Sequence, residues 1–116
     1  MTVLVNEIVL YVSDLERSRS FYSAVGLQLS PVRLGSANDH PHHYEAILGS
    51  EPLFLQLFPA GTQLPTRTRL RFEVPDIRDI AERMKEAGFN FRIKNEHQLH
   101  ATDPDGTGIY AMTRRR

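Results

Sequence analysis

Residues 10–29 read LYVSDLERSRSFYSAVGLQL, and this stretch decides the fold. It opens on an alternating strand in which Ile8, Leu10 and Val12 share one parity and Glu7, Val9 and Tyr11 the other. Ser13 or Asp14 can cap a following helix, and Ser13 with Glu16 has the spacing of a capping box. Leu15, Ser18, Phe21, Tyr22 and Val25 then fall on one helical stripe, and Gly26 suits a left-handed stop.

The same punctuation returns later in the chain. Leu70, Phe72 and Val74 alternate with Arg69, Arg71 and Glu73. Asp76 answers Asp14 and Gly88 answers Gly26, each 62 residues on. Between them Ile77, Ile80, Ala81, Met84 and Ala87 form a second helical stripe. Two landmarks at one offset make the chain two copies of one supersecondary unit. Each copy predicts a strand, a helix and three more strands. The later strands fall at about 27–33, 43–49 and 53–58 in the first copy, and at about 90–94, 97–102 and 108–113 in the second. A polar loop near 34–42 interrupts the first copy. In the second, Asp103-Pro104-Asp105-Gly106 is a strong turn signal, because proline presets φ and glycine accepts a positive one. Pro59 to Pro65 joins the halves. The expectation is one α+β domain over 1–116, with a βαβββ unit over 1–60 and another over 66–116.

Composition narrows the function classes. The chain has 116 residues, 14 basic and 14 acidic, with 41% apolar residues and no cysteine. Zero net charge argues against a broad nucleic-acid footprint, which depends on neutralising phosphates. Without cysteine there is no disulfide scaffold, thiolate zinc site or cysteine nucleophile. No apolar run is long enough to span a bilayer, and no secretory signal is read at the N-terminus, so a soluble cytoplasmic protein is expected. The Gly-Thr-Gly at 106–108 lacks the Lys-Ser/Thr of a phosphate-binding loop, and Ser20 and Ser23 have no His–Asp context. Arg114-Arg115-Arg116 is too short a basic tail to claim nucleic acid.

The repeat, the segment 10–29 and the later ATDPDGTGIYAM (101–112) together resemble the vicinal oxygen chelate superfamily, which includes glyoxalase I, the bleomycin-resistance proteins and the extradiol dioxygenases. The resemblance covers nearly the whole chain. It implies two curved sheets around a cavity, helices on the outer faces, and a homodimer in which units are paired within a chain or exchanged between chains. The alternation agrees. Ile8, Leu10, Val12, Leu70, Phe72 and Val74 should face the helices, while Glu7, Tyr11, Arg69, Arg71 and Glu73 suit a wet cavity.

Enzymes of that superfamily hold a divalent metal on four side chains, and the resemblance carries those positions onto Glu7, Gln56, Arg69 and Tyr110. Glutamate is a good hard ligand and a glutamine carbonyl a weak one. Arginine keeps its proton and offers no lone pair, and neutral tyrosine is a poor ligand. The expectation is therefore no metal and no other cofactor. Two readings of Glu7 and Arg69 stay open: a cross-cavity ion pair aided by Gln56 and Tyr110, or two solvated strand residues. Arg69 and Arg71 either receive a carboxylate or phosphate, or form a rim ladder with Glu73. Phe54, Gln56 and Phe58 share a face, as do Val9 and Tyr11, to hold a flat ligand or to fill the cavity themselves. His40, His42 and His43 cluster in the long loop, off the ligand positions. Of His97 and His100, which have opposite parity, at most one faces the cavity as a general-base candidate.

The expected function is that of a glyoxalase- or bleomycin-resistance-like protein binding a small organic molecule without a metal. Ligand contacts are expected from Glu7, Tyr11, Phe54, Gln56, Arg69, Arg71 and Tyr110. One alternative is a metal-dependent lyase, isomerase or dioxygenase of the glyoxalase I type, using Glu7, Gln56 and a histidine. The other is a metal-independent enzyme with Glu7, Tyr110 or a histidine as proton carrier.

Overall fold

Helix capping shows how literally the repeat is built. The structure is a computed structural model and describes residues 2–35, 41–49 and 53–114. His40, Arg115 and Arg116 lie outside them. Strand β1 (Glu7–Val12) leads into helix α1 (Leu15–Val25), and strand β5 (Arg69–Val74) leads into α2 (Ile77–Ala87). Asp14 caps α1 by accepting from the Arg17 amide, and Asp76 caps α2 by accepting from the Arg78 amide. Both helices end on a left-handed glycine, Gly26 at φ 118° and Gly88 at φ 81°. In each, the glycine and the residue after it return their amides to the last turn, closing a Schellman-type stop.

Two expectations about this segment change. Ser13 does not form the capping box; its hydroxyl and amide both donate to Asp105, across the chain in the second unit. Strand β2 spans only Ser30–Val32, not 27–33, because Leu27 still donates to the Tyr22 carbonyl to close α1.

The remaining strands are β3 (His43–Leu48), β4 (Leu53–Pro59), β6 (Phe91–Asn95), β7 (Gln98–Thr102) and β8 (Gly108–Thr113). They form two four-stranded mixed sheets with the same topology, β1-β4-β3-β2 (sheet A) and β5-β8-β7-β6 (sheet B). β1 pairs parallel with β4 and β5 parallel with β8, so β1 and β5 are edge strands. Each parallel pair is the crossover that the intervening helix permits.

One parity of each strand packs on the helices. Leu10, Val12, Leu55, Leu57, Leu99 and Ile109 are buried with Phe21, Tyr22, Ile77, Ile80 and Met84 in one core shared by both units. Each such side chain contributes roughly 1.5–3 kcal/mol on burial. The units are also stapled by polar contacts. Tyr22 on α1 donates to Asp103 at 2.6 Å, Arg83 on α2 donates to the Ala24 carbonyl, and Tyr11 exchanges bonds with Thr66. Asp103 organises the expected turn: its Oδ1 accepts from the Asp105 and Thr107 amides, while Gly106 adopts φ 99°. Among the described residues no helix is long and apolar enough to cross a membrane.

Candidate functional site

The parity left over from the core faces away from the helices, and the strand register arranges it in rows. On sheet A one row runs Glu7–Phe54–Ile47, across β1, β4 and β3, and the next Val9–Gln56–Glu45. The third pairs Tyr11 with Phe58, and the His43 ring stacks on Phe58 from the other side, 4.2 Å between centroids and 9° from parallel. On sheet B the rows are Arg69–Gly108–Thr102, then Arg71–Tyr110–His100–Arg92 across all four strands, then Glu73–Met112–Gln98.

Every expected ligand-contact residue lies on these helix-free faces, but the two sheets divide them. Glu7, Phe54 and Gln56 line a recess of about 370 Å³ on sheet A with Asn6 and Glu45. Arg69, Arg71 and Tyr110 line one of about 100 Å³ on sheet B with Lys94, Gln98 and His100. Within the chain Glu7 and Arg69 therefore form no ion pair, contrary to the first of the two readings above. Their strands are edges of different sheets, so equal positions in the repeat do not make them neighbours. Gln56 donates instead to Glu45, and the Arg69 guanidinium lies 4.2 Å above the Tyr110 ring. The Tyr110 ring lies close over the bare backbone at Gly108, where a Cβ would stand 3.3 Å from it.

Glu73 does not make the rim ladder with Arg71, because it binds Arg114 at 3.2 Å. Of the two strand histidines, His100 is the one on the helix-free face, its ring edge-on to Tyr110 at 4.3 Å. His97 stands in the β6–β7 turn against Thr113. His43 departs from the loop expectation: it opens β3 and is buried against Phe58, with its Nδ1 2.9 Å from that of exposed His42. That burial, and then His42, hold the His43 imidazole below the usual histidine pKa. Burial also lowers His100, followed by Lys94, Arg92, Arg69 and Arg71.

Glu45, Arg92 and Lys94 join the faces although only their alternation hinted at it: His43, Glu45 and Ile47 on one strand, Arg92 and Lys94 on another. A larger hollow, about 660 Å³, lies elsewhere. It opens between the sheets on the helix side, against Ile8, Leu55, Leu70, Phe72, Val74 and Ile80.

The donor set does not fit a divalent metal. Two of the four chelating positions hold a permanently charged guanidinium and the phenol beneath it. Among the described residues, no group of three or more His, Cys, Asp or Glu side chains converges to hold an ion.

The chain's likeness to solved structures is close in shape and distant in sequence. It superposes on Oxidase ChaP-H2 with a TM-score of 0.73 at 20% identity, covering 99% of this chain and 96% of that one. It matches TnmS3, an antibiotic binding protein from Streptomyces sp. CB03234, with a TM-score of 0.69 at 20% identity over 98% of both chains. The lactoylglutathione lyase from Agrobacterium tumefaciens gives 0.61 at 16% identity, covering 97% of this chain and 94% of that one. No curated protein matches the sequence. The sequence profile that does match spans residues 4–109, and by it the chain belongs to the Glyoxalase/Bleomycin resistance protein/Dioxygenase superfamily.

Proposed function

We propose that the protein binds a small organic molecule on the helix-free faces of its sheets, without a resident metal, and that it does so as a cytoplasmic homodimer. The observation that carries this reading is Arg69, whose charge lies over Tyr110 at two positions where a chelating member needs electron-pair donors. A cation there repels a metal ion and attracts electron-rich or anionic guests. The row Tyr11–Phe58–His43 supplies an aromatic surface that such guests can pack on. That one structurally similar protein is an antibiotic binder agrees with this use of the fold.

Pairing of two chains explains the division of the face residues. Sheet A offers Glu7 and Glu45, sheet B offers Arg69, Arg71, Arg92 and Lys94, and β1 and β5 are each the edge strand of their sheet. A second copy that laid its sheet B beside sheet A would join the recesses into one larger site.

Elemental analysis of protein grown with added Ni, Zn, Mn and Fe tests the metal statement; the expected result is far below one equivalent. Near-stoichiometric metal that disappears in Glu7→Ala would overturn it and favour the lyase, isomerase or dioxygenase alternative. Thermal-shift screening with small aromatic and anionic compounds tests binding: saturation at about 100 Kd stabilises a fold by about 2.7 kcal/mol. A broad screen without a hit would remove the ligand-binding reading. Sedimentation equilibrium tests the dimer, and a monomer at micromolar concentration would remove that part.

A further inference from the structure

Sheet B concentrates positive charge that the protein does not neutralise. Arg69, Arg71, Arg92 and Lys94 surround the Tyr110–His100 pair, and none of the four forms an ion pair among the described residues. Glu73, on the same face, is engaged by Arg114. The chain as a whole is neutral, so this is a local segregation of charge rather than a general excess. Four like charges around one recess repel one another, and a fold retains that cost most readily where a counter-charge arrives from outside.

The hollows around the pair have different characters. The small one, about 100 Å³, is lined by Arg69, Arg71, Lys94 and Gln98 and fits a single oxyanion group. On the other side Tyr110 and His100 border a hollow of about 660 Å³ that Arg17, Phe89, Phe91 and Arg92 also line. That volume is within the range of small-molecule sites. Tyr110 is held at the boundary by Gly108 beneath it and Arg69 above it. Guanidinium groups bind carboxylates and phosphates through paired, charge-assisted hydrogen bonds, and Arg71 and Arg92 stand at the two ends of the Tyr110–His100 row.

We propose that the ligand is an organic oxyanion, whose carboxylate or phosphate is held by Arg69, Arg71 and Lys94 while its body lies past Tyr110 and His100 toward Phe89 and Phe91. This deepens the small-molecule reading above and rests on it. The His100 ring, its pKa lowered first by burial and then by all four cations, agrees with this.

The test is an NMR titration of the full chain with benzoate, phenyl phosphate and neutral benzamide, followed at the His100 and Tyr110 rings. Both anions are expected to bind about tenfold or more tightly than benzamide, and Arg71→Gln to remove about that factor. The tighter of the two anions identifies the group as carboxylate or phosphate. Raising the salt to about 1 M, where charges are screened within about 3 Å, should weaken the anions and leave benzamide unchanged. Arg71→Lys should recover part of the loss, and Lys85→Gln on the exposed face of α2 should leave binding as it was. Benzamide binding as well as benzoate would overturn the oxyanion assignment while the small-molecule reading stood. Anion binding unaffected by Arg71→Gln, or no shift at either ring with any of the three probes, would overturn it too. Failure of the broad compound screen would remove the underlying reading instead.

Discussion

Replacing Tyr22 by phenylalanine removes one oxygen atom from the joint between the two units. That hydroxyl donates to Asp103 Oδ2 at 2.6 Å, and both residues are buried. Asp103 Oδ1 is already occupied by the amides of Asp105 and Thr107, so after the substitution Oδ2 has no donor among the described residues. A hydrogen bond to a charged group is worth about 1.5–3 kcal/mol net, and the phenyl ring keeps the packing of Tyr22. The expected loss is therefore about 2 kcal/mol, or about 8 °C in Tm for a chain of this size. Urea unfolding should show a lower midpoint at an unchanged slope. Tyr44→Phe is the control. Its hydroxyl donates to Glu16, a carboxylate largely exposed to water, so about 0.5 kcal/mol is expected. Combining Tyr22→Phe with Asp103→Asn isolates the pair, and the double mutant should cost about 1 kcal/mol less than the sum. A loss for Tyr22→Phe below about 0.5 kcal/mol, the scale of ordinary surface changes, would refute the idea that this bond holds the units together.

The same tyrosines make the fold sensitive to alkali. Burial, and then Asp103, push Tyr22 far above the usual tyrosine pKa, and burial with Glu16 raises Tyr44. Both hydroxyls hold their protons more tightly when folded, so stability is full below about pH 10 and falls above it, by up to about 1.4 kcal/mol per pH unit for Tyr22; Tyr22→Phe should reduce that slope in denaturant titrations. Gly26→Ala should cost about 1 kcal/mol or more in a urea melt, because φ is 118° and the new Cβ would meet the Arg83 guanidinium at 3.3 Å. Ser18→Ala should leave stability unchanged or raise it by about 0.5–1 kcal/mol, since its buried hydroxyl has no partner among the described residues and alanine is the better helix former. Phe58→Ala should raise the His43 pKa toward the ordinary value, measurable by NMR titration, because the stacked ring supplies much of the burial that holds it down.

Much of this was readable before any coordinates. Alternation assigned Leu10 and Val12 to the core and Glu7, Arg69 and Arg71 to the other face, because a strand's period of two leaves each side chain only two directions. Aspartate and glycine at a constant spacing marked both helices, because capping is local chemistry within one or two turns. The identity of Arg69 alone argued against chelation, since no environment gives a protonated guanidinium a lone pair.

Lateral neighbours were not legible in the same way. Strand order and register decide who stands beside whom, and these depend on contacts between segments far apart in the chain. So Ser13 leaves the capping box for Asp105, 92 residues away, and Glu73 goes to Arg114 rather than Arg71. The split of Glu7 and Gln56 from Arg69 and Tyr110 follows from β1 and β5 being edges of separate sheets. Alternation tells a residue which way to face; only the packed sheets tell it whom it faces.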